Sequence, residues 1–213
     1  MTEWLQGSLL DLDEPTGLGD VTAVRRTVLT AGAWIDVLPG WLHGADDVFG
    51  ALVDGVPWHA ERRQMYDRTV DVPRLLKFYG EGESLPHPLL TAAMAALNVH
   101  YESELGEPFR TAGLCYYRDG RDSVAWHGDT IGRGATTDTM VAIVSVGAAR
   151  ALHLRPRPEF AESGVGTVRY ALGHGDLIVM GGSCQRTWEH AIPKTARPVG
   201  PRISIQFRPR GVR

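Results

Sequence analysis

The sequence predicts an α+β protein with helices early in the chain and an antiparallel sheet late, as a sandwich or barrel with a jelly roll among the options. Two segments before residue 106 have helical period, and short β-branched or aromatic runs recur after residue 109. The 13 prolines and 25 glycines are scattered along the chain, which is typical of many turns between short strands. No repeat or linker-like stretch divides the chain.

The two helical segments are 45–53 and 87–105. Each repeats apolar residues at helical spacing, so each is expected to cover the sheet rather than carry chemistry. The residues on their apolar faces are Val48, Phe49, Leu52 and Val53 in the first segment, and Leu90, Met94, Leu97, Tyr101 and Leu105 in the second.

About eight strands are predicted in the second half, with no helical pattern between them. Their ranges are 109–118, 123–127, 139–146, 149–155, 167–172, 177–180, 188–192 and 203–207. Upstream, 21–30 and 57–79 are expected to add strands to one edge of the sheet. Residues 1–20 are acidic and contain glycine, which indicates a loosely packed lead-in.

Composition excludes several classes of protein. Hydrophobic residues at 43% and charged residues at 22% exclude a disordered or fibrous chain. No apolar run approaches the about 18 residues of a membrane span, and the first residues lack the basic region of a secretory signal. Two cysteines make no disulfide framework, which favours a cytoplasmic protein. The net charge of −3 disfavours non-specific duplex binding through phosphate neutralisation alone.

Three side chains form a candidate metal site. His127 and Asp129, two residues apart at a strand end, project to the same side, and His190 lies on a strand far downstream. Two imidazoles and one carboxylate on one face are typical of non-haem Fe(II) oxygenases. From spacing alone, a strand-end hydrogen bond explains His127 and Asp129 equally well.

The last predicted strand has one apolar and one polar face. Ile203, Ile205 and Phe207 alternate with a polar row that begins at Arg202 and ends at Arg208. An arginine binds a carboxylate through two hydrogen bonds and keeps its charge when buried, so this row suits an acidic ligand. An edge strand with a solvated face is the alternative.

Taken together, these residues resemble the AlkB family of Fe(II)- and 2-oxoglutarate-dependent dioxygenases. The family pattern of His-x-Asp, a distal His and Arg-x5-Arg is here His127-Gly-Asp129, His190 and Arg202 to Arg208. Segment 117–129 is similar to the metal-bearing strand of the branch that includes the animal single-strand repair demethylases, and 176–190 to its distal-histidine hairpin. The likeness covers about 57–210 and is densest over 109–208.

The resemblance implies a double-stranded β-helix (jelly roll) with an N-terminal α/β extension. It divides the chain into the lead-in 1–20, an extension 21–108 and a catalytic core 109–213. Fe(II), 2-oxoglutarate and O2 are the implied cofactor and cosubstrates. The implied site comprises the iron ligands His127, Asp129 and His190, with Arg202 as a further catalytic residue, and the cosubstrate residues Tyr117, Arg202, Ser204 and Arg208.

Two departures from the family pattern concern the cosubstrate and the base. Cys115 stands where the family motif Asn-x-Tyr has asparagine, which removes one cosubstrate hydrogen bond, about 1 kcal/mol. Demethylases of the family commonly carry acids just after His-x-Asp, whereas this chain continues Thr130-Ile-Gly-Arg133. The carboxylate that would favour a cationic methylated base is absent there, so the preferred base stays open.

Segment 57–80 resembles the family's nucleotide-recognition lid, where cations would contact phosphates and rings would contact bases. An ordinary hairpin with a solvated basic face is the alternative. The substrate residues expected from the lid and from the opposite rim are Arg62, Met65, Tyr66, Arg74, Tyr79 and Arg133.

The leading functional hypothesis is an oxidative N-demethylase of alkylated single-stranded DNA or RNA that releases formaldehyde, succinate and CO2. It is expected to act as a cytoplasmic monomer without a membrane partner. A 2-oxoglutarate-dependent hydroxylase or demethylase of a protein or small molecule is the second hypothesis. A catalytically silent jelly-roll binding module is the third.

Overall fold

The two long helices form where the helical period predicts them, and the second has a local reason both to begin and to end. The computed structural model describes residues 16–65 and 68–212, with helices α1 (Ala45–Gly55) and α2 (Pro88–Leu105). The His87 Nδ1 atom accepts the backbone N–H of Leu89 at 3.2 Å, which caps α2. Gly106 then ends the helix at a φ of 67°, a left-handed conformation that glycine adopts without strain.

The remaining elements of the described chain are mostly short strands. The eight strands predicted in the second half are all present, with ends shifted by at most two residues, and a short helix, α3 (Cys184–Thr187), precedes the strand of the distal histidine. The strands are β1 (Gly17–Leu18), β2 (Arg25–Val28), β3 (Ala33–Leu38), β4 (Leu42–His43), β5 (His59–Met65), β6 (Arg68–Tyr79), β7 (Phe109–Tyr117), β8 (Val124–His127), β9 (Val141–Gly147), β10 (Arg150–Pro156), β11 (Val168–Leu172), β12 (Asp176–Gly182), β13 (Trp188–Ile192) and β14 (Arg202–Pro209).

Two antiparallel sheets pack face to face as a jelly roll. The larger has the order β2-β3-β12-β9-β14-β7-β6-β5 and the smaller the order β11-β10-β13-β8, while β1 pairs with β4. Two apolar clusters hold these layers together. One, which includes Leu154 and Trp188, fills the space between the sheets, and the other, which includes Leu97 and Ile205, lies between the larger sheet and the helices. The predicted fold class is therefore confirmed.

The strands before residue 80 do not share one edge, and that detail of the prediction was wrong. β2 lies at one end of the larger sheet, while β5 and β6 lie at the other. The sequence predicted no strand at 33–38, where β3 carries a buried aspartate. The Asp36 carboxylate accepts hydrogen bonds from the Tyr101 hydroxyl at 2.8 Å and from the Arg26 Nη2 at 2.7 Å, so its charge is paired inside the fold.

The strands of the predicted extension 21–108 complete the larger sheet of the predicted core. β3 pairs with β12, and β6 pairs with β7 through a regular register from Leu75↔Tyr116 to Tyr79↔Ala112.

Within the described residues, no helix has the length and apolar character needed to cross a membrane. Cys115 and Cys184 are both buried free thiols.

Candidate metal centre

Strand pairing in the smaller sheet brings the two histidines together. His127 ends β8 and lies directly opposite His190 on the antiparallel strand β13. Their ring centroids are 4.2 Å apart. Residues directly opposite on one face of an antiparallel pair have adjacent side chains, so the sheet register alone sets this contact.

Asp129 is held beside the histidines by contacts on both its backbone and its side chain. Its N–H donates to the Gln185 Oε1 at 3.0 Å, and its Oδ2 accepts from the Arg208 Nε at 2.6 Å. Gly128 makes the approach possible, because a Cβ there would collide with the Gln185 carbonyl oxygen. One ligand atom from each of Asp129, His127 and His190 lies within 4.8 Å of the others, a spacing that one metal ion can bridge after small side-chain adjustments.

Hydrogen bonding fixes which nitrogen of His127 is free. Its Nδ1 lies 2.9 Å from the Ala125 carbonyl oxygen and 3.2 Å from that of His190. Because carbonyl oxygens only accept, Nδ1 carries the proton and Nε2 keeps its lone pair. The Nε2 atom lies 3.9 Å from the Asp129 Oδ1, so the lone pair and the carboxylate face the same point.

The protonation states of the three groups are those of metal ligands. Burial lowers the pKa of His127 and, together with the neighbouring His127, lowers that of His190 to about 3. Burial opposes ionisation of Asp129, but the charges of Arg208 and the two histidines outweigh it and lower its pKa to about 2. At neutral pH the site therefore offers two neutral imidazoles and one carboxylate. This donor set fits Fe(II).

A buried arginine defines the second part of the site. The Arg202 side chain is 1% exposed, and its Nε donates to the Ser145 Oγ at 2.8 Å. The Nη1 atom is buried with no hydrogen-bond partner among the described residues, and burial lowers the pKa of the guanidinium. The guanidinium carbon lies 5.4 Å from the centroid of the Tyr117 ring. A buried cation that lines a cavity with one N–H group unpaired fits a carboxylate ligand such as one end of 2-oxoglutarate.

The sequence places Gln206 on the polar face of β14 but assigns it no role, and the structure shows that its amide connects this row. The Gln206 Nε2 donates to the Ser204 Oγ at 3.0 Å and to the Cys115 Sγ at 3.3 Å. Its Oε1 accepts from the Arg208 Nη2 at 2.9 Å. Hydrogen bonds therefore run from Ser204 through Gln206 and Arg208 to Asp129.

A cavity of about 610 Å³ lies over these groups, and its lining includes all of the predicted metal and cosubstrate residues. Of the three candidate ligands, Asp129 and His190 are buried in its floor, while the His127 side chain is partly exposed. The lining residues predicted from the sequence are Arg74, Tyr117, His127, Asp129, His190, Arg202, Ser204 and Arg208.

The other substrate residues predicted from the sequence are not in the lining, as far as the structure describes their side chains. The prediction for Tyr79 was wrong, because its ring is 8% exposed and packs in the cluster under the helices, on the opposite face of β6. Arg62 is exposed on β5, and Arg133 forms an ion pair with Glu107 outside the cavity. Tyr66 and the side chain of Met65 lie outside the described residues.

Two apolar residues at the cavity were not predicted. Phe78 is 42% exposed on β6, and Ile131 is 68% exposed in the loop after β8, and both line the cavity. Large apolar side chains that line a cavity and face water are typical of a ligand-binding mouth. Alternation along β6 from Arg74 was a signal that would have selected Phe78 instead of Tyr79.

Comparison with known proteins agrees with this geometry. Residues 56–208 match the model of the 2OG-Fe(II) oxygenase superfamily, and the chain belongs to that superfamily. It is 32% identical over 201 residues to the alpha-ketoglutarate-dependent dioxygenase alkB homolog 3 of Homo sapiens and to that of Bos taurus, in each case over 88% of this chain and 67% of the relative. It is 26% identical over 178 residues to the DNA oxidative demethylase ALKBH2 of Homo sapiens, over 77% of this chain and 68% of the relative.

Within the superfamily, the chain is an AlkB-family enzyme that depends on Fe(II), 2-oxoglutarate and O2.

Proposed function

We propose that this dioxygenase removes N-methyl and related N-alkyl groups from bases in single-stranded DNA or RNA by oxidative demethylation. The observation that carries the proposal is the cavity itself, which is lined by the three candidate ligands, by Arg202 and by two exposed apolar residues. The similarity to a DNA oxidative demethylase points to the same class of substrate.

In the proposed reaction, the bound Fe(II) supplies the activation of O2. The four electrons that reduce O2 come from the two organic reactants, because the N-methyl group and 2-oxoglutarate each lose two electrons. One oxygen atom enters a C–H bond of the N-methyl group, and the other enters succinate as 2-oxoglutarate loses CO2. The N-hydroxymethyl product then loses its hydroxyl proton, and its C–N bond breaks as formaldehyde departs with the electron pair left on the ring nitrogen. That pair cancels the positive charge of a cationic base, whereas on a neutral base the nitrogen takes up a proton.

The residues of this chain hold the reactants and exclude water. His127, Asp129 and His190 would hold Fe(II), and the Arg202 guanidinium would bind the distal carboxylate of 2-oxoglutarate in a bidentate pair. Tyr117 flanks that pair, and burial raises the pKa of its hydroxyl, which keeps it protonated as a hydrogen-bond donor. Ser204, Gln206 and Arg208 would form the polar wall at the other end of the cosubstrate.

The position of the candidate ligands in a cavity requires that the base leave its stack. Because these side chains line the cavity, an N-methyl group on a ring nitrogen reaches them only from a flipped or unpaired nucleotide. The β5–β6 hairpin, which lies at an edge of the larger sheet, is the proposed lid. Arg62 on that hairpin is proposed to contact phosphate, with Met65 and Tyr66 beside the base and Arg133 on the opposite rim.

The proposal also covers the setting of the enzyme. Residues 21–108 would act as the recognition extension and 109–213 as the catalytic core. The two free, buried thiols suit a reducing compartment such as the cytoplasm. Within the described chain, the exposed large apolar residues outside the cavity are Val28 and Val99, which are too few for an extensive dimer interface, so we propose a monomer.

The test is mass spectrometry of a panel of methylated single-stranded oligonucleotides, incubated with the enzyme, Fe(II), ascorbate and 2-oxoglutarate. We expect loss of one methyl group together with formaldehyde and succinate, and no reaction with His127→Ala. Succinate formation without demethylation of any oligonucleotide would point to a protein or small-molecule substrate. A protein that binds no Fe(II) and forms no succinate would be a silent binding module.

A further inference from the structure

Tyr117 on β7 has an arginine on each side of it in the larger sheet. On one side it pairs with Arg202 of β14. On the other side, the register of β6 pairs Leu75 with Tyr116. The preceding residue, Arg74, is therefore the neighbour of Tyr117, and both arginines line the cavity with this tyrosine. The cosubstrate end of the cavity thus carries two guanidinium groups.

Arg74 is anchored through part of its guanidinium and has a donor to spare. Its Nη1 donates to the Ser123 carbonyl oxygen at 3.1 Å, and its side chain also donates to the Cys115 sulfur. Its Nε is buried without a hydrogen-bond partner in the described chain. The Arg202 Nη1 is in the same condition, so each of the two arginines has a buried nitrogen donor that a ligand can use.

No carboxylate of the described lining neutralises this pair of arginines. The one acidic lining residue is Asp129, whose Oδ2 lies 2.6 Å from the Arg208 Nε. Glu61 on β5 interacts with the Arg74 charge but lies outside the lining. Two like charges held away from water on either side of one ring are costly unless an anion binds between them. This end of the cavity therefore favours a carboxylate ligand.

A third arginine near Tyr117 shows how a purely structural role differs. The Arg150 guanidinium carbon lies 5.8 Å from the centroid of the Tyr117 ring. Its Nη1 and Nη2 atoms donate to three backbone carbonyl oxygens, and it does not line the cavity. The hydrogen bonds of Arg150 go to the protein itself, whereas Arg74 and Arg202 keep donors that face the cavity.

We propose that Arg74 is a second arginine for the cosubstrate, which binds the distal carboxylate of 2-oxoglutarate together with Arg202. The sequence grouped Arg74 with the substrate residues, whereas its place beside Cys115 and Tyr117 favours the cosubstrate. Because AlkB-family enzymes depend on this cosubstrate, the role does not rest on the proposed nucleic-acid substrate.

The spacing of the strands suits two arginines on one carboxylate. Neighbouring strands are about 4.8 Å apart, so the backbones of Arg74 and Arg202 are about 10 Å apart across β7. Their long side chains reach into the cavity from opposite sides of the Tyr117 ring. An ionised carboxylate has about four acceptor positions, which accommodate the Arg74 Nε, the Arg202 Nη1 and the Tyr117 hydroxyl.

Arg74 also brings donors to a position where this chain departs from the family pattern. Cys115 stands in the place of the family's asparagine, and a thiol is only a weak hydrogen-bond donor. Its sulfur accepts from the Gln206 Nε2 at 3.3 Å and from Arg74. The guanidinium beside it supplies charged donors, which form stronger hydrogen bonds with a carboxylate than a neutral amide does.

A purely structural role for Arg74 is the competing explanation. Ser123 donates its N–H to the Pro73 carbonyl oxygen at 2.8 Å and accepts from Arg74, so these contacts tie β6 to the residue before β8. Loss of such a tie would lower the stability of the fold and affect every keto acid alike. Loss of a cosubstrate residue affects only a keto acid that carries the distal carboxylate.

The test is calorimetric titration of the Mn(II)-loaded protein with two keto acids. One is 2-oxoglutarate, and the other is 2-oxopentanoate, which keeps the keto-acid end but has a methyl group in place of the distal carboxylate. We expect Arg74→Gln to weaken binding of 2-oxoglutarate about tenfold, because a charge-assisted hydrogen bond is lost, and to leave binding of 2-oxopentanoate within about twofold. Arg74→Lys keeps the charge without the planar guanidinium and should give a smaller loss for 2-oxoglutarate.

Arg110→Gln is the matched control. This arginine lies on β7 outside the cavity lining and forms an ion pair with Glu81 at 3.4 Å, so its loss should change neither affinity. Circular dichroism and the melting temperature show whether each variant is folded. If Arg74→Gln is unfolded, Arg74→Lys carries the same comparison of the two keto acids.

Two outcomes overturn the role of Arg74. Equal losses for both keto acids would identify a structural tie, and an unchanged affinity for 2-oxoglutarate would leave Arg202 to bind the distal carboxylate alone. Neither titration uses an oligonucleotide, so a failure here leaves the proposed function standing. A failure of the oligonucleotide panel would likewise leave this role of Arg74 standing.

Discussion

The floor and the mouth of the cavity are built in opposite ways. At the floor, Asp129, His190 and Arg202 are 4%, 7% and 1% exposed, and Asp129 and Arg202 are also hydrogen-bonded to other side chains. At the mouth, Phe78 and Ile131 are 42% and 68% exposed. The side chains of the floor are held in fixed positions, as catalysis requires, while the exposed apolar side chains of the mouth can adapt to a ligand. Changes at the floor should therefore abolish metal or cosubstrate binding, and changes at the mouth should alter only the use of nucleic acid.

The largest effect is expected from Asp129→Ala, because it removes a ligand and leaves Arg208 as an unpaired cation beside the two histidines. Affinity for a divalent metal should fall at least about 100-fold, and turnover should be lost. Titration of the metal-free protein with Mn(II), followed by electron paramagnetic resonance, measures the affinity directly. Affinity within a few fold of the unaltered protein would show that Asp129 is not a ligand.

Arg202→Ala is expected to raise the KM for 2-oxoglutarate about 10- to 100-fold, since a charge-assisted hydrogen bond contributes about 1.5–3 kcal/mol. Arg202→Lys keeps the charge but loses the planar guanidinium, so its KM for 2-oxoglutarate should lie between those of the unaltered protein and of Arg202→Ala. The measurement is the dependence of succinate formation on 2-oxoglutarate concentration. A KM unchanged in Arg202→Ala would mean that the diacid binds elsewhere.

Gln185→Ala tests whether positioning at the floor extends beyond the ligands. Without the Oε1 acceptor, the Asp129 N–H loses its partner and metal affinity should fall about tenfold. Gln185→Glu retains an acceptor oxygen and is the matched variant, with metal affinity expected to stay close to that of the unaltered protein. The same Mn(II) titration applies, and equal losses in both variants would contradict a role for this hydrogen bond.

The smallest effect on the chemistry is expected from Phe78→Ala. Stacking of a base on an aromatic ring contributes about 1–3 kcal/mol, so the KM for a methylated oligonucleotide should rise about tenfold. Succinate formation without oligonucleotide should not change. Val99→Ala, at a more exposed valine on α2 (79%), is the control and should alter neither rate.

The floor could be predicted from the sequence, because its residues come from short-range patterns. His127 and Asp129 are two apart at a strand end, and Arg202 belongs to a strand whose alternation with Ile203 and its neighbours is regular. The structure brings these groups together with the distant His190, which spacing alone could not establish. Burial of one face in such strands fixes which side chains point inward.

The residues of the mouth could not be predicted as well, because each depends on which face of β6 its side chain takes. Phe78 and Tyr79 are neighbours in the regular part of β6, residues 75–79, so they point to opposite faces, and Phe78 takes the position beside the cavity.

One residue at the floor also lay beyond the strand patterns. Gln185 reaches Asp129 from α3, a turn that these patterns do not reveal.

The hydrogen bonds around Asp129 also bear on how iron is acquired. Sheet register sets His127 against His190, while Gln185 and Arg208 hold the carboxylate, so the coordination pocket is assembled by protein contacts. Stripping the metal with a chelator should therefore leave the protein folded, with a melting temperature lowered only by the lost free energy of metal binding, and added Fe(II) should restore activity. Iron would thus be exchangeable in the folded protein, and scarcity of iron would silence the enzyme without unfolding it.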